Sequence, residues 1–103
     1  MIARMWSARA TAAGLSCYVD YFRAHVLPEL TAIAGYKGAS VLTRERPGDV
    51  EVTVITRWTS MDAIRAFAGD AVGTAVVHEG AAAHLIDYDK HVTHHTVVVT
   101  DER

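Results

Sequence analysis

From Val50 to Trp58 every second residue is apolar or threonine (Val50, Val52, Val54, Thr56, Trp58), and at Thr59-Ser60 this period of two gives way to a period of three to four. Alternate residues of a strand share a face, so the run reads as a strand with one buried face that ends in a tryptophan and turns at once into a helix. Thr59, with Asp62 three residues later, or Ser60 supplies a side-chain acceptor for the orphan amides of the first helical turn. Ala63, Ile64 and Phe67 form the apolar stripe of that helix, and Gly69 stops it. Upstream, Ala39, Val41 and Thr43 begin another strand. Pro47-Gly48-Asp49 joins the two too tightly for anything but an antiparallel hairpin.

Around this hairpin the period changes again. Met1 to Ser7 alternates as a strand, and Leu15, Tyr18, Val19, Phe22 and Val26 recur at helical spacing between about Thr11 and Leu27. Pro28 bends or ends that helix, with Glu29 to Ala34 adding a further turn, and Gly35 and Gly38 punctuate before the hairpin. An alanine-rich stretch from Asp70 to Leu85 reads as broken helix. Lys90 to Thr100, with Val92 and Val97-Val98-Val99, reads as a buried last strand. The order strand, helix, strand, strand, helix, strand is an α+β, ferredoxin-like βαββαβ arrangement. It forms one domain over residues 1-103, with a four-stranded antiparallel sheet and both helices on one face. The other face is expected to be bare and rich in strand valines, which predicts a homodimer in which two sheets close over one another.

Composition removes several function classes. With 21% charged residues and a formal net charge of -2, no basic tract recruits nucleic acid. No window approaches the roughly 18 apolar residues of a membrane span, and the opening Met1-Ile2-Ala3-Arg4 carries a charge, so the expectation is a cytoplasmic protein with no membrane partner. The single cysteine, Cys17, has no intrachain disulfide partner and reads as a small buried apolar residue on the first helix.

The run from Trp58 to Asp70, W-x-S-x-x-A-I-R-A-F-A-G-D, resembles the antibiotic biosynthesis monooxygenase family, a branch of the dimeric α/β barrel proteins. The resemblance extends over nearly the whole chain. It takes in the M-I-A-R-M-W opening, G-Y-x-G-A-x-V-L ahead of the hairpin, and V-x-H at Val92-Thr93-His94. It implies the dimeric barrel, and a superfamily that includes quinone-forming monooxygenases working without a cofactor, haem-degrading oxygenases and isomerases. In the cofactor-independent reading, a dry pocket holds an ionisable phenol, favours its electron-rich anion and lets that anion reduce dioxygen. Trp58 then corresponds to the family's strand-end tryptophan at the pocket mouth. Trp6, Tyr18, Phe22, Phe67 and Tyr88 are candidate walls, and Arg4 or His94 is a candidate oxyanion donor. His94, matching the last-strand V-x-H, is also the candidate general base. The chain departs from that pattern in one respect. The asparagine that the best-known oxidases place shortly before the tryptophan is Val54 here, and the chain has no asparagine or glutamine at all. Another of their polar partners falls near His78.

Six histidines occur: His25, His78, His84, His91, His94 and His95. On a strand His91 and His95 point away from His94, so no H-x-H pair offers two adjacent ligands, and no metal site is expected. The alternative haem reading requires an axial histidine about ten residues after the tryptophan, where Phe67 to Gly69 stand. A third reading is a small-molecule-binding dimer without catalysis.

Overall fold

In the computed structural model, which describes residues 1-103, the elements run β1 (Ile2–Ala10), α1 (Ala12–Tyr21), a π-helical turn (Phe22–Val26), α2 (Leu27–Thr31), β2 (Tyr36–Arg46), β3 (Asp49–Trp58), α3 (Met61–Ala68), α4 (Glu79–Ala82), β4 (Asp87–Tyr88) and β5 (Thr93–Thr96). The sheet is antiparallel in the order β2-β3-β1, and β4 and β5 share the remaining edge of β1. Four positions in the sheet are therefore filled by five strands.

The hairpin forms where its turn residues put it. Gly48 carries a φ of 88°, which glycine adopts without steric cost, and β2 and β3 pair from Arg46↔Asp49 upward. β1 lies along β3 from Ile2↔Trp58 to Ala10↔Val50. This register sets Arg4 beside Thr56, Trp6 beside Val54 and Ala8 beside Val52 on one face. That face is the one the helices cover, since Val50, Val52, Val54, Thr56 and Trp58 are all buried.

The strand valines thus lie under the helices, contrary to the expectation that they would line the bare face. The uncovered face carries their alternates: Met5, Ser7, Thr53 and Ile55, all half-buried, and an exposed Leu42, with Ser7 and Thr53 hydroxyls 3.2 Å apart across the strands. The last strand also differs from expectation. Residues 90-92 leave β1 and bond to 73-75 instead, with Ala75 N–H to Lys90 O and Val92 N–H to Gly73 O both at 2.9 Å. The detour splits the edge into β4 and β5, and the chain beyond Val97 leaves Val98 and Val99 more than 80% exposed at 86% and 81%.

Thr11 caps α1 by accepting from the Gly14 amide at 3.0 Å. Pro28 does not end the helix. Its ring excludes the Ala24 carbonyl from a regular turn and it has no N–H to donate, so the turn before it widens and Leu27 N–H bonds to Phe22 O. Cys17, expected to be buried, is exposed, because the buried side of this helix is taken by Tyr18 and Phe22. Ser60 caps α3 through the Ala63 amide at 3.2 Å, and Gly69 ends it at φ 77°. Ile64, Leu30, Val52 and Trp58 are the fully buried large side chains and form the centre of the core.

Candidate active site

Where the helices splay from the sheet, a cavity of about 70 Å³ remains. Its floor is Arg4, Trp6, Val54 and Thr56 of the sheet, and its wall is Tyr18 of α1, Phe22 and Val26 of the π-helical turn and Leu30 of α2. Its roof is Ala75 to His78 with Ala81, from the segment expected to be broken helix. Phe67 and Val92 close the remaining side. Phe22 and Val26 of that wall are the first and last residues of the widened turn ahead of Pro28. Tyr18 lies between Trp6 and Phe22, with ring centres 6.3 Å from each.

Arg4 is the buried cation of this site, only 5% exposed. Its Nη1 donates to the Val72 carbonyl at 2.6 Å and lies 3.0 Å from Nε2 of His94, and Nη2 donates to the Thr74 carbonyl at 3.0 Å. The guanidinium carbon stands 5.9 Å from the centre of the Phe67 ring. None of the chain's ion pairs includes Arg4. Burial lowers its pKa, yet an arginine stays charged at neutral pH, so the positive charge is held by two carbonyl dipoles and an imidazole with no carboxylate to balance it.

An arginine only donates hydrogen bonds, which fixes the role of His94. Its Nε2 must be the acceptor and its proton must sit on Nδ1. Burial first, then Arg4 and His95, lowers the His94 pKa and keeps the ring neutral. The ring does not border the cavity and its accepting nitrogen is committed to Arg4. His95 bonds to Thr93 Oγ1 at 2.8 Å, and His91 is paired with Thr74 outside β5.

Trp58, expected at the pocket mouth, is sealed at 0% exposure and does not border the cavity. Its ring stacks on Phe67 at 5.8 Å and meets Tyr36 edge-on at 5.5 Å, and its Nε1 donates to Thr56 Oγ1 at 2.8 Å. It supports two residues that do face the cavity, Thr56 and Phe67. Tyr88 likewise stands outside, 40% exposed, backing Trp6 at 6.1 Å. Trp6 Nε1 donates to Asp89 O at 2.7 Å.

His78 reaches the roof with both ring nitrogens engaged. Nε2 donates to Glu29 at 3.0 Å, and Nδ1 shares a hydrogen bond of 3.1 Å with the Tyr21 hydroxyl. The residue fastens the roof to the first helix and leaves no nitrogen for a porphyrin iron. Sequence reasoning missed Thr56, although its place two residues before Trp58 put it on the same face. It also missed Glu29 and Tyr21, whose role depends on a tertiary contact with no local signal.

Tyr18 is 4% exposed, and burial pushes its hydroxyl up to about 12. The hydroxyl bonds to no protein group. No buried side-chain nitrogen or oxygen of the chain is left without a partner, so the Tyr18 hydroxyl opens onto accessible space. The space bordering Tyr18 is the cavity.

No protein-family model and no curated protein sequence matches the chain. Solved structures do. A candidate antibiotic biosynthesis monooxygenase from Bacillus cereus shares 22% identity at a TM-score of 0.66, over 99% of this chain and 97% of that one. A variant of MhuD with two manganese protoporphyrin IX molecules bound per active site shares 19% at 0.63, over all of both chains (100% and 100%). SnoaB, a cofactor-independent oxygenase from Streptomyces nogalater, shares 18% at 0.60, over 96% of this chain and 95% of that one. The chain therefore has the ferredoxin-like fold of antibiotic biosynthesis monooxygenase-type proteins, end to end. None of its helices is long and apolar enough to cross a membrane.

Proposed function

We propose that this chain is an oxygenase that takes a small phenol or enol into the cavity and lets its anion react with dioxygen without a bound cofactor. The observation that carries this reading is an aromatic, apolar cavity whose one buried charge is the carboxylate-free guanidinium of Arg4. A phenol entering such a site gives up its proton to solvent more readily, because the cation stabilises the oxyanion in surroundings of low dielectric constant. The anion is the electron-rich form that can reduce dioxygen. For oxidation to a quinone the atoms balance directly: one oxygen atom becomes the new carbonyl, and the other leaves as water with the phenolic and ring hydrogens.

The residues divide the work. Arg4 holds the oxyanion, and Trp6, Tyr18, Phe22 and Phe67 position the ring. His94 is a positioning residue acting through Arg4, while Trp58 and Tyr88 brace the walls from behind. SnoaB, of the same fold, is described as a cofactor-independent oxygenase, which supports the reading. The test is oxygen uptake with anthrone-type phenols. Uptake above the rate in buffer, with a quinone spectrum appearing, is expected. Ligand binding with no uptake across the neutral pH range would reduce the protein to a binding module.

We also infer a homodimer closed through the face that carries Met5, Leu42 and Ile55. A single chain leaves this face without cover, and the exposed Val98 and Val99 extend from the same sheet. Sedimentation at micromolar concentration should give twice the chain mass; the mass of one chain would refute it.

A further inference from the structure

We infer that the cavity selects its occupant as a monoanion: a planar aromatic molecule whose negative oxygen sits on the Arg4 guanidinium while a second oxygen accepts from the Tyr18 hydroxyl. The inference names the ligand class of the site proposed above and rests on that cavity, though not on the oxidation of what it binds.

Charge comes first. The titratable or charged groups around the cavity are Arg4 from β1, Tyr18 from α1 and His78 from the roof, with His94 of β5 behind Arg4. His78 faces Glu29, His94 is the acceptor of an arginine N–H, and burial keeps Tyr18 protonated far above neutrality. That leaves one uncompensated positive charge. A neutral occupant leaves it unbalanced, a monoanion cancels it, and a dianion puts a net negative charge into an apolar site, so the middle case is favoured.

The unused donors come next. A guanidinium has five N–H groups, of which the protein takes two from Nη1 and one from Nη2. Nε–H and one N–H of Nη2 remain, on neighbouring nitrogens of one planar group. This is the pairing that grips a carboxylate or an enolate with two parallel bonds. Nε has no protein acceptor, and no sealed nitrogen lacks a partner, so Nε reaches accessible space. The Tyr18 hydroxyl meets the same condition independently. Two nearly buried polar side chains on two different elements thus border one cavity with donors the fold does not use. The rings flanking Tyr18 suit a flat aromatic body rather than a tetrahedral anion, which would want more donors than these walls provide.

The test compares charge at constant shape. Calorimetric titration with benzoate and with benzamide should show the anion binding at least about tenfold more tightly to the native protein. 4-Nitrophenol, whose phenolate alone is yellow, distinguishes an acidic phenol from a carboxylate as the anion source. Bound to the native protein it should ionise about one pH unit or more below its value in free solution. Arg4→Met should abolish both effects and Arg4→Lys should restore part of each. Tyr18→Phe should weaken both anions roughly fivefold, the worth of about one hydrogen bond, without lowering the melting temperature. Equal binding of benzoate and benzamide, no downward shift of the dye, or no anion binding at millimolar concentration would overturn the inference, and the native-protein measurements hold even if Arg4→Met fails to fold. A dye shift without oxygen uptake would instead remove the oxygenase reading and leave this one standing.

Discussion

Two ends of the same layer, lying on the same face of β1 and β3, have opposite character. At one end Trp58 and Ile64 fill the space completely, and the indole N–H of Trp58 is satisfied by Thr56. At the other end, two residues along β1, the layer is left partly empty, and Arg4 and Tyr18 keep donors that no protein group accepts. A folding chain gains nothing from burying an arginine without a carboxylate. Apolar filling of the second end would stabilise the fold better, so the difference between the two ends separates stability from binding.

Substitutions at the two ends should separate in the same way. The largest effect is expected from Trp58→Ala, which removes a sealed ring packed on Phe67 and Tyr36. It should cost about 3–5 kcal/mol in chemical denaturation, whatever it does to ligands. A folded, equally stable Trp58→Ala that loses only ligand would move Trp58 from the filled end to the cavity. Next comes pH. Because the folded-state pKa of His94 is lowered, the unfolded chain binds more protons at acidic pH, and stability is lost as pH falls below about 6.5 towards the folded value. His94→Gln keeps an acceptor for Arg4 without titrating, so it should flatten that part of the stability profile; an unchanged slope would show that a group other than His94 sets it. Tyr18→Phe is the sharper opposite of Trp58→Ala: a buried substitution that changes stability by under about 0.5 kcal/mol, since the hydroxyl it deletes has no partner to orphan. Smallest of all, Cys17→Ser should also stay within about 0.5 kcal/mol, and the native thiol should react readily with an aromatic disulfide reagent.

Local chemistry made the filled end readable in advance. The alternation to Trp58, the cap at Ser60 and the stop at Gly69 are all set by near neighbours in the chain, and each lies where its residues indicate. The facing of the valines was knowable only from pairing, because alternation gives two faces and does not say which one the helices choose. The cavity end was less readable because its features depend on chain segments far apart in sequence. Arg4 reads as an ordinary edge-strand cation until Val72, Thr74 and His94 are brought around it. The split of the last strand arises because residues 90-92 satisfy residues 73-75 rather than β1, a competition that no local pattern records. Cys17 was misplaced for the opposite reason: it lies off the stripe that Tyr18 and Phe22 define, and its apolar character outweighed that spacing in the expectation of burial.

The widened turn ahead of Pro28 stores one residue more than a regular helix of the same rise requires, and it stores it beside the cavity. Ala24, within that turn, is exposed. A chain that shortens or lengthens this turn by a residue can resize the wall formed by Phe22 and Val26 while leaving the flanking helical segments in register with the sheet. The girth of the pocket is therefore set in part at a helical turn that lies outside the sheet and leaves the strand pairing untouched.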